Sequence, residues 1–474
     1  MIRGLWKSTA AFLAIAVAYP LFTHAAVPRN WLWVKGAVFV PTNCVNEAQE
    51  WDKYDSARND RELHYASVYG FNCVRVFLHY FVYLKDKQKL LNNVEDFLTR
   101  ADKYHIKVEF IFFDDCWNQP PKEILSKDYQ YPAPIYGVHN SQWLQCPGDD
   151  VKAHYEQNRP QLQAYVQDIV NAHKADPRIA FWETYNEPNK SAGTIRILKN
   201  AEDWIHATGT KIPVTATGVD FSGGPYSDFI SWHLYGGYNL KGGPDTLCTE
   251  CMNREGMTVP GVVEHFRNHC GWELWEFGIG RDNCRFAWKQ NRQSPATKEN
   301  AAPFHGVVYP DGHPWSVDDV KAVMGTDAFA KAPLLRAEYY RDNHFGDLAK
   351  ESVTPMIDFD LNDERGTNSI DPQADMPSDH FSVRYAGQIN VPEQGWYRFY
   401  VSGNGGVKIS TEIRQILAVD NLSANPSDGS VELPEGQHDI TIEYAHDTGT
   451  ASLYINWTPP GAQQTVFTPS SSGG

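Results

Sequence analysis

Ile179–Lys190 reads IAFWETYNEPNK, an apolar, β-favouring run that ends on Asn186, an acid at Glu187 and a proline. A strand that delivers an acid at its C-terminal end suits a barrel of parallel strands, because side chains at those ends share one cleft. Outward from this stretch, short β-rich runs alternate with amphipathic helical patterns between about Trp31 and Ala332. The strand candidates are WLWVKGAVFV, FNCVRVFLHY, IKVEFIFF, IAFWETY, IPVTATG, DFISWHLY, WELWEFG and RFAWKQ. Among the helical patterns, KLLNNVEDFLTRADKYH sets Leu90, Leu91, Val94, Phe97, Leu98 and Ala101 on one face at the 3.6-residue period. Eight strands separated mostly by helix predict an α/β fold of the (β/α)8 barrel type, with WELWEFG as strand seven and RFAWKQ as strand eight. A doubly wound sheet is the alternative, but no Gly-rich phosphate loop follows the first strand.

Near Pro333 the texture changes to short alternating runs punctuated by Gly, Pro, Asn and Asp, such as FSVRYAGQINV, GWYRFYVSG and GVKIST. Runs of this kind predict an all-β sandwich. The expected organisation is an export signal over residues 1–26, the barrel over 27–332, the sandwich over 333–462 and a disordered tail over 463–474. The signal rests on basic Arg3 and Lys7, an apolar stretch from Ser8 to Phe22, and small residues ending at Ala25 and Ala26. The apolar stretch falls short of the roughly 20 residues a membrane span needs. A secreted or periplasmic protein with no membrane contact after cleavage is therefore expected.

The formal net charge of −16 argues against nucleic acid as a partner. Fifteen Trp and 24 Tyr serve core packing, and their apolar faces also suit stacking on sugar rings. Eight cysteines in an exported chain read as disulfides, of unassigned pairing. The alternative for Cys248 and Cys251 is a zinc site completed by Cys270 and Cys284. All eight precede Trp288, which supports a domain boundary further on. Asn189, Asn421 and Asn456 match the N-glycosylation pattern and are taken as chance matches.

A second acid in a similar setting is Glu276, in WELWEFG. If Glu187 and Glu276 end strands four and seven of one barrel, they converge. Two facing carboxylates are the equipment for glycoside hydrolysis, one protonating the leaving oxygen while the other attacks or activates water. Asp114, Asp115 and Trp117 in FFDDCW, together with His79, are further candidates to line the cleft. The long segment Asn118–Gly148 exceeds an ordinary connection and is expected to build substrate subsites. Trp182 is assigned to the core.

These stretches resemble the clan of retaining glycoside hydrolases with catalytic acids on strands four and seven, such as family-five cellulases and mannanases and family-two β-glycosidases. Asn186-Glu187-Pro188 is similar to the Asn-Glu-Pro that ends strand four there, and Glu276-Phe277-Gly278 to the Glu-aromatic-Gly that ends strand seven. The likeness extends to Arg75 in CVRVFLHY, His233 and Tyr235 in SWHLYGG, Trp288 in FAWKQ, and the stretch FHGVVYPDGHPW. The resemblance implies Glu187 as acid/base and Glu276 as nucleophile, kept ionised by Arg75. It implies Tyr235 bonding that carboxylate, His233 and Asn186 on sugar hydroxyls, and Trp288 as the stacking floor. The substrate it implies is a β-linked polysaccharide or oligosaccharide, hydrolysed with retention and without cofactor or metal. A transglycosylase would use the same residues with another acceptor, and a non-catalytic glycan-binding protein would keep only the fold.

The C-terminal part, in LRAEYYRDNHFGD, GWYRFYVSGNGGVKI and ASLYINWTPPG, resembles the protective-antigen-fourteen domain, a sandwich often attached to secreted glycosidases, toxins and adhesins. Members that bind sugar through calcium use a paired Asp in a loop; Ser402–Gly406 lacks that pair. Glycan binding and a structural spacer role are both open for it.

Overall fold

The computed structural model describes residues 30–217, 226–361, 369–422 and 426–469. The expected export signal lies outside the described residues. Eight parallel strands carry the N-terminal part: β1 (Lys35–Val38), β2 (Cys73–Phe77), β3 (Lys107–Asp114), β4 (Ile179–Asn186), β5 (Val214–Thr217), β6 (Ser231–Leu234), β7 (Leu247–Cys251) and β8 (Gly271–Leu274). Their ladders run β5-β4-β3-β2-β1-β8-β7-β6. The β5–β6 seam is held by Asp228 N donating to Val214 O at 2.8 Å and by the Thr215 and Ser231 hydroxyls 2.7 Å apart. The expected barrel is therefore present. The helix that the 3.6-residue pattern marks runs Lys87–Lys103 and buries Leu90, Val94, Phe97, Leu98 and Ala101.

Two strand assignments need correction. LCTEC forms strand seven, GWEL forms strand eight, and RFAWKQ lies in turns beyond the barrel. The connection from β6 to β7 holds no helix, so strand-helix alternation fails there and β7 has no pattern to announce it. β7 is also irregular, with register shifts against both neighbours. Such irregularities re-aim side chains near functional sites.

The barrel interior is charged as well as apolar. Arg75 on β2 is fully buried and donates to Glu183 on β4 at 2.8 Å and to Glu109 on β3 at 3.3 Å. Glu273 on β8 fits against Gly36, where a Cβ would stand 2.6 Å from its Oε1. One guanidinium cannot keep every one of these carboxyls ionised. Burial, then neighbouring charges, pushes Glu109 well above the usual carboxyl range, and burial leads in raising Glu273 to about 7.

The expected disulfides are absent. All eight cysteines are free thiols, seven of them buried. Several are satisfied locally, Cys146 Sγ by Phe112 O at 3.2 Å, Cys248 Sγ by Glu250 O and Cys251 Sγ by Glu273 O, each at 3.3 Å.

The C-terminal part is two antiparallel sheets around a second core that includes Tyr339, Phe359, Tyr385, Phe399 and Ile442. Its longest pairing runs Phe381–Val391 against Gly436–His446. The expected tail boundary at 463 also needs correction, because Thr465–Val466 pairs with Ser452–Thr458 and Phe467 is buried in the core. The sandwich docks on the barrel through polar contacts. Tyr65 OH donates to Asp358 O at 3.3 Å and Arg61 pairs with Asp358 at 2.9 Å. His313 bridges Asp311 and Asp371, Lys350 adds a 2.7 Å bond to Asp371, and Tyr339 OH reaches Asp311 at 2.8 Å.

Candidate active site

The C-terminal ends of the strands open into a pocket of about 170 Å³. Its wall comprises Asn186 at the end of β4 and Glu187 after it, Tyr235 after β6, Glu250 on β7 and Trp275 after β8, with Trp117, Trp143 and Trp288 from the surrounding loops. Cys116, His139 and Asn140 complete it. His139, Asn140 and Trp143 come from the long Asn118–Gly148 segment.

Glu187 follows the last residue of β4 with φ at 43°, a left-handed backbone that turns its side chain into the pocket. The acid across from it is Glu250. His233 Nδ1 lies 2.8 Å from Glu187 Oε1 and 3.3 Å from Glu250 Oε2. One ligating atom from each of Glu187, His233 and Glu250 lies within 4.8 Å of the other two. Glu250 also accepts from Arg75 Nη1 at 2.5 Å and from Tyr235 OH at 2.5 Å. Both of its oxygens are thus fixed by donors.

Burial is the largest influence on Glu187 and raises its pKa. Hydrogen bonding and charge from His233, a bond from the Cys116 thiol 3.4 Å away and the Arg75 charge outweigh it, and hold the carboxyl below its ordinary value. Asn186 is pinned from both ends, accepting from Arg75 Nη2 at 2.9 Å and donating to Asp114 Oδ1 at 2.9 Å. Asp114 does not line the pocket; it orients Asn186 and the Trp143 indole, and burial pushes its pKa up to about 8.

The structure does not bring Glu276 to Glu187. Glu276 follows β8, is 1% exposed, lies outside the pocket wall and groups with Asp282 and Cys284. Arg75 and Tyr235, expected to hold the partner acid, hold Glu250 instead. His79 is buried and caps helix Tyr80–Lys85, where its Nδ1 accepts from Phe81 N, so it does not reach the pocket. Asp115 is also kept out, bound by Lys152 Nζ at 2.5 Å and Tyr185 OH at 2.8 Å. Trp288 lines the pocket, but from the loops beyond β8, 41% exposed and edge-on to Tyr235 at 5.0 Å. The indole at the barrel end itself is Trp275, packed 5.3 Å from Trp143. Trp117 stands at the mouth, 54% exposed.

Sequence reading passed over Glu250 because CTEC draws attention to its cysteines. The available signal was an acid inside a short β-favouring run between SWHLY and WELW.

Residues 334–470 match the PA14 domain family. Over 129 residues the chain is 29% identical to anti-sigma-I factor RsgI3 of Acetivibrio thermocellus, a match covering 26% of this chain and 19% of that protein. The chain thus spans about a fifth of the length of that curated relative. Among solved structures, the PA14 sugar-binding domain from an RTX adhesin is 17% identical, covering 30% of this chain and 99% of that one with a TM-score of 0.25. The crystal structure of GH5_18 from Streptomyces cattleya in complex with GlcNAc is 10% identical, covering 64% of this chain and 80% of that one with a TM-score of 0.41.

Proposed function

We propose that the chain is a retaining β-glycosidase in which Glu250 is the nucleophile and Glu187 the acid/base. The observation that carries this reading is the sharing of His233 by two carboxylates from opposite sides of the barrel mouth, with facing atoms within 4.8 Å. Retaining enzymes hold their carboxyl groups about 5–5.5 Å apart, which leaves no room for a water between sugar and nucleophile. Glu250 attacks the anomeric carbon while Glu187 gives its proton to the departing oxygen. Glu187 then takes a proton from the water that releases the sugar from Glu250. Arg75 and Tyr235 keep Glu250 ionised and aimed. Asn186 is positioned to donate to the sugar 2-hydroxyl, and Trp275 to carry an apolar sugar face.

Among the described residues of the wall, Glu187 and Glu250 are the only carboxyl groups, and no Lys or Arg lines it. A neutral sugar ring suits this wall, since an acidic one would add a negative charge beside two carboxylates of which only Glu250 is held by a guanidinium. Assay of purified protein on neutral β-linked glucans, mannans, xylans and aryl glycosides, with the first-formed anomer followed by proton NMR, tests the reading. Retention supports it, and an inverted first product would refute double displacement.

A pH prediction follows from the groups around Glu187. Since kcat/KM reports free-enzyme groups, and Glu187 must be protonated to act, its depressed pKa places the basic limb on the acid side of neutrality. His233→Asn removes a group that lowers that pKa, so the limb should move to higher pH. A limb that stays in place would show that His233 does not set the protonation of Glu187.

A further inference from the structure

Behind the pocket wall, Glu276, Asp282 and Cys284 converge in the interior. All three are buried, and one ligating atom from each lies within 4.8 Å of the other two. Glu276 Oε2 and Asp282 Oδ2 have no hydrogen-bond partner. Among the described residues no ion pair reaches either carboxylate. Buried carboxylates are ordinarily paired, hydrogen-bonded or bound to metal. The Glu187–His233–Glu250 group differs, because Arg75 and Tyr235 already satisfy Glu250.

The surroundings supply a fourth donor. Cys284 Sγ lies 2.7 Å from Asn140 Oδ1, and it also accepts from Trp275 Nε1 at 3.2 Å. Burial, followed by the charge of Asp282, pushes both Glu276 and Cys284 upward in pKa. Without a cation, these groups resist ionising together.

We propose that Glu276, Asp282 and Cys284 bind one divalent transition-metal ion, with Asn140 Oδ1 beside them as a neutral fourth donor. Zn²⁺ fits a mixed set of one thiolate and hard oxygens, and its preference for four ligands matches the donors present. Binding releases the Cys284 proton and any proton held by the two carboxyls. The role is structural. Asn140 and Trp275 both face the pocket, so the ion ties two pieces of its wall to the end of the barrel. The site does not depend on the catalytic reading, and its test needs no activity.

The test uses the full chain, produced in zinc-supplemented medium and analysed for metal after exhaustive dialysis. About one zinc per chain is expected, and its removal by chelator should lower the melting temperature. Cobalt loaded in its place should show a thiolate charge-transfer band in the near ultraviolet. Asp282→Asn and Cys284→Ser should lose the metal, and Cys284→Ser the band. A second arm needs no variant: alkylation in mild denaturant, followed by peptide mapping, should find Cys284 protected with metal and labelled without it. Protection of Cys248, Cys251 or Cys270 instead would overturn the assignment. So would a wild-type chain that takes up neither zinc nor cobalt in stoichiometric amount, leaving a proton shared between Glu276 and Asp282 as the account of the cluster.

Discussion

Glu250→Ala is expected to lower kcat on an activated aryl β-glycoside by on the order of 10⁴- to 10⁶-fold, the scale on which loss of one member of a concerted catalytic unit is felt. The expectation rests on position. Glu250 stands on β7 with Arg75 and Tyr235 each 2.5 Å from one of its oxygens, so its lone pairs are oriented before any sugar arrives. Truncation to Ala removes the nucleophile and leaves space for a small anion beside the guanidinium. Added azide should enter there and return the α-glycosyl azide from a β-linked substrate. In Glu187→Ala, azide should instead intercept the intermediate on Glu250 and give the β-azide. The reverse pattern would exchange the two roles. Glu276→Ala should not respond to azide at all, because Glu276 is walled off from the pocket.

Arg75→Met is expected to destabilise the barrel by about 3–5 kcal/mol, the usual cost of leaving a buried ionic partner uncompensated. The guanidinium serves Glu109, Glu183, Glu250 and Asn186 together, and its side chain is fully buried. Met fills much of the same space, so the loss measures charge and hydrogen bonding more than packing. Urea unfolding at neutral pH would give the value. A change under about 1 kcal/mol, near the scale of an ordinary hydrogen bond, would mean that the surrounding acids are already protonated and that Arg75 does not keep Glu250 ionised.

The architecture was legible wherever pattern and element coincide. The β4 stretch Ile179–Asn186 is continuous and ends one residue before its acid, and the sandwich strand Phe381–Val391 alternates as a half-buried strand should. On β2, β4 and β6 the sequence marked the strands that carry Arg75, Asn186, Glu187, His233 and the adjoining Tyr235, but Arg75 and Tyr235 hold Glu250 rather than Glu276, and His233 lies between Glu187 and Glu250. It failed on β7 for a physical reason. That strand spans five residues, is irregular against both neighbours and follows a helix-free connection, so neither period nor alternation marks it. Counting one strand short made β8 look like strand seven and gave Glu276 the role proposed for Glu250. The same slip hid Trp275, which follows β8 and faces the pocket while its neighbour Glu276 does not. His79 and Asp115 adjoin the right strand ends, but neighbouring contacts turn them away, and spacing along a chain carries no record of those contacts.

The most direct measurement is to trap the glycosyl-enzyme. A 2-deoxy-2-fluoro glycoside with a good leaving group, matched to whichever neutral sugar the enzyme cleaves, slows the second displacement and lets the ester accumulate. Trypsin separates the two acids cleanly, placing Glu250 in the peptide of residues 242–254 and Glu276 in that of residues 268–281. The account predicts that the mass of the fluorosugar appears on the first peptide, at Glu250. A label on the second peptide, or no covalent label on an enzyme that the reagent inactivates, would contradict it.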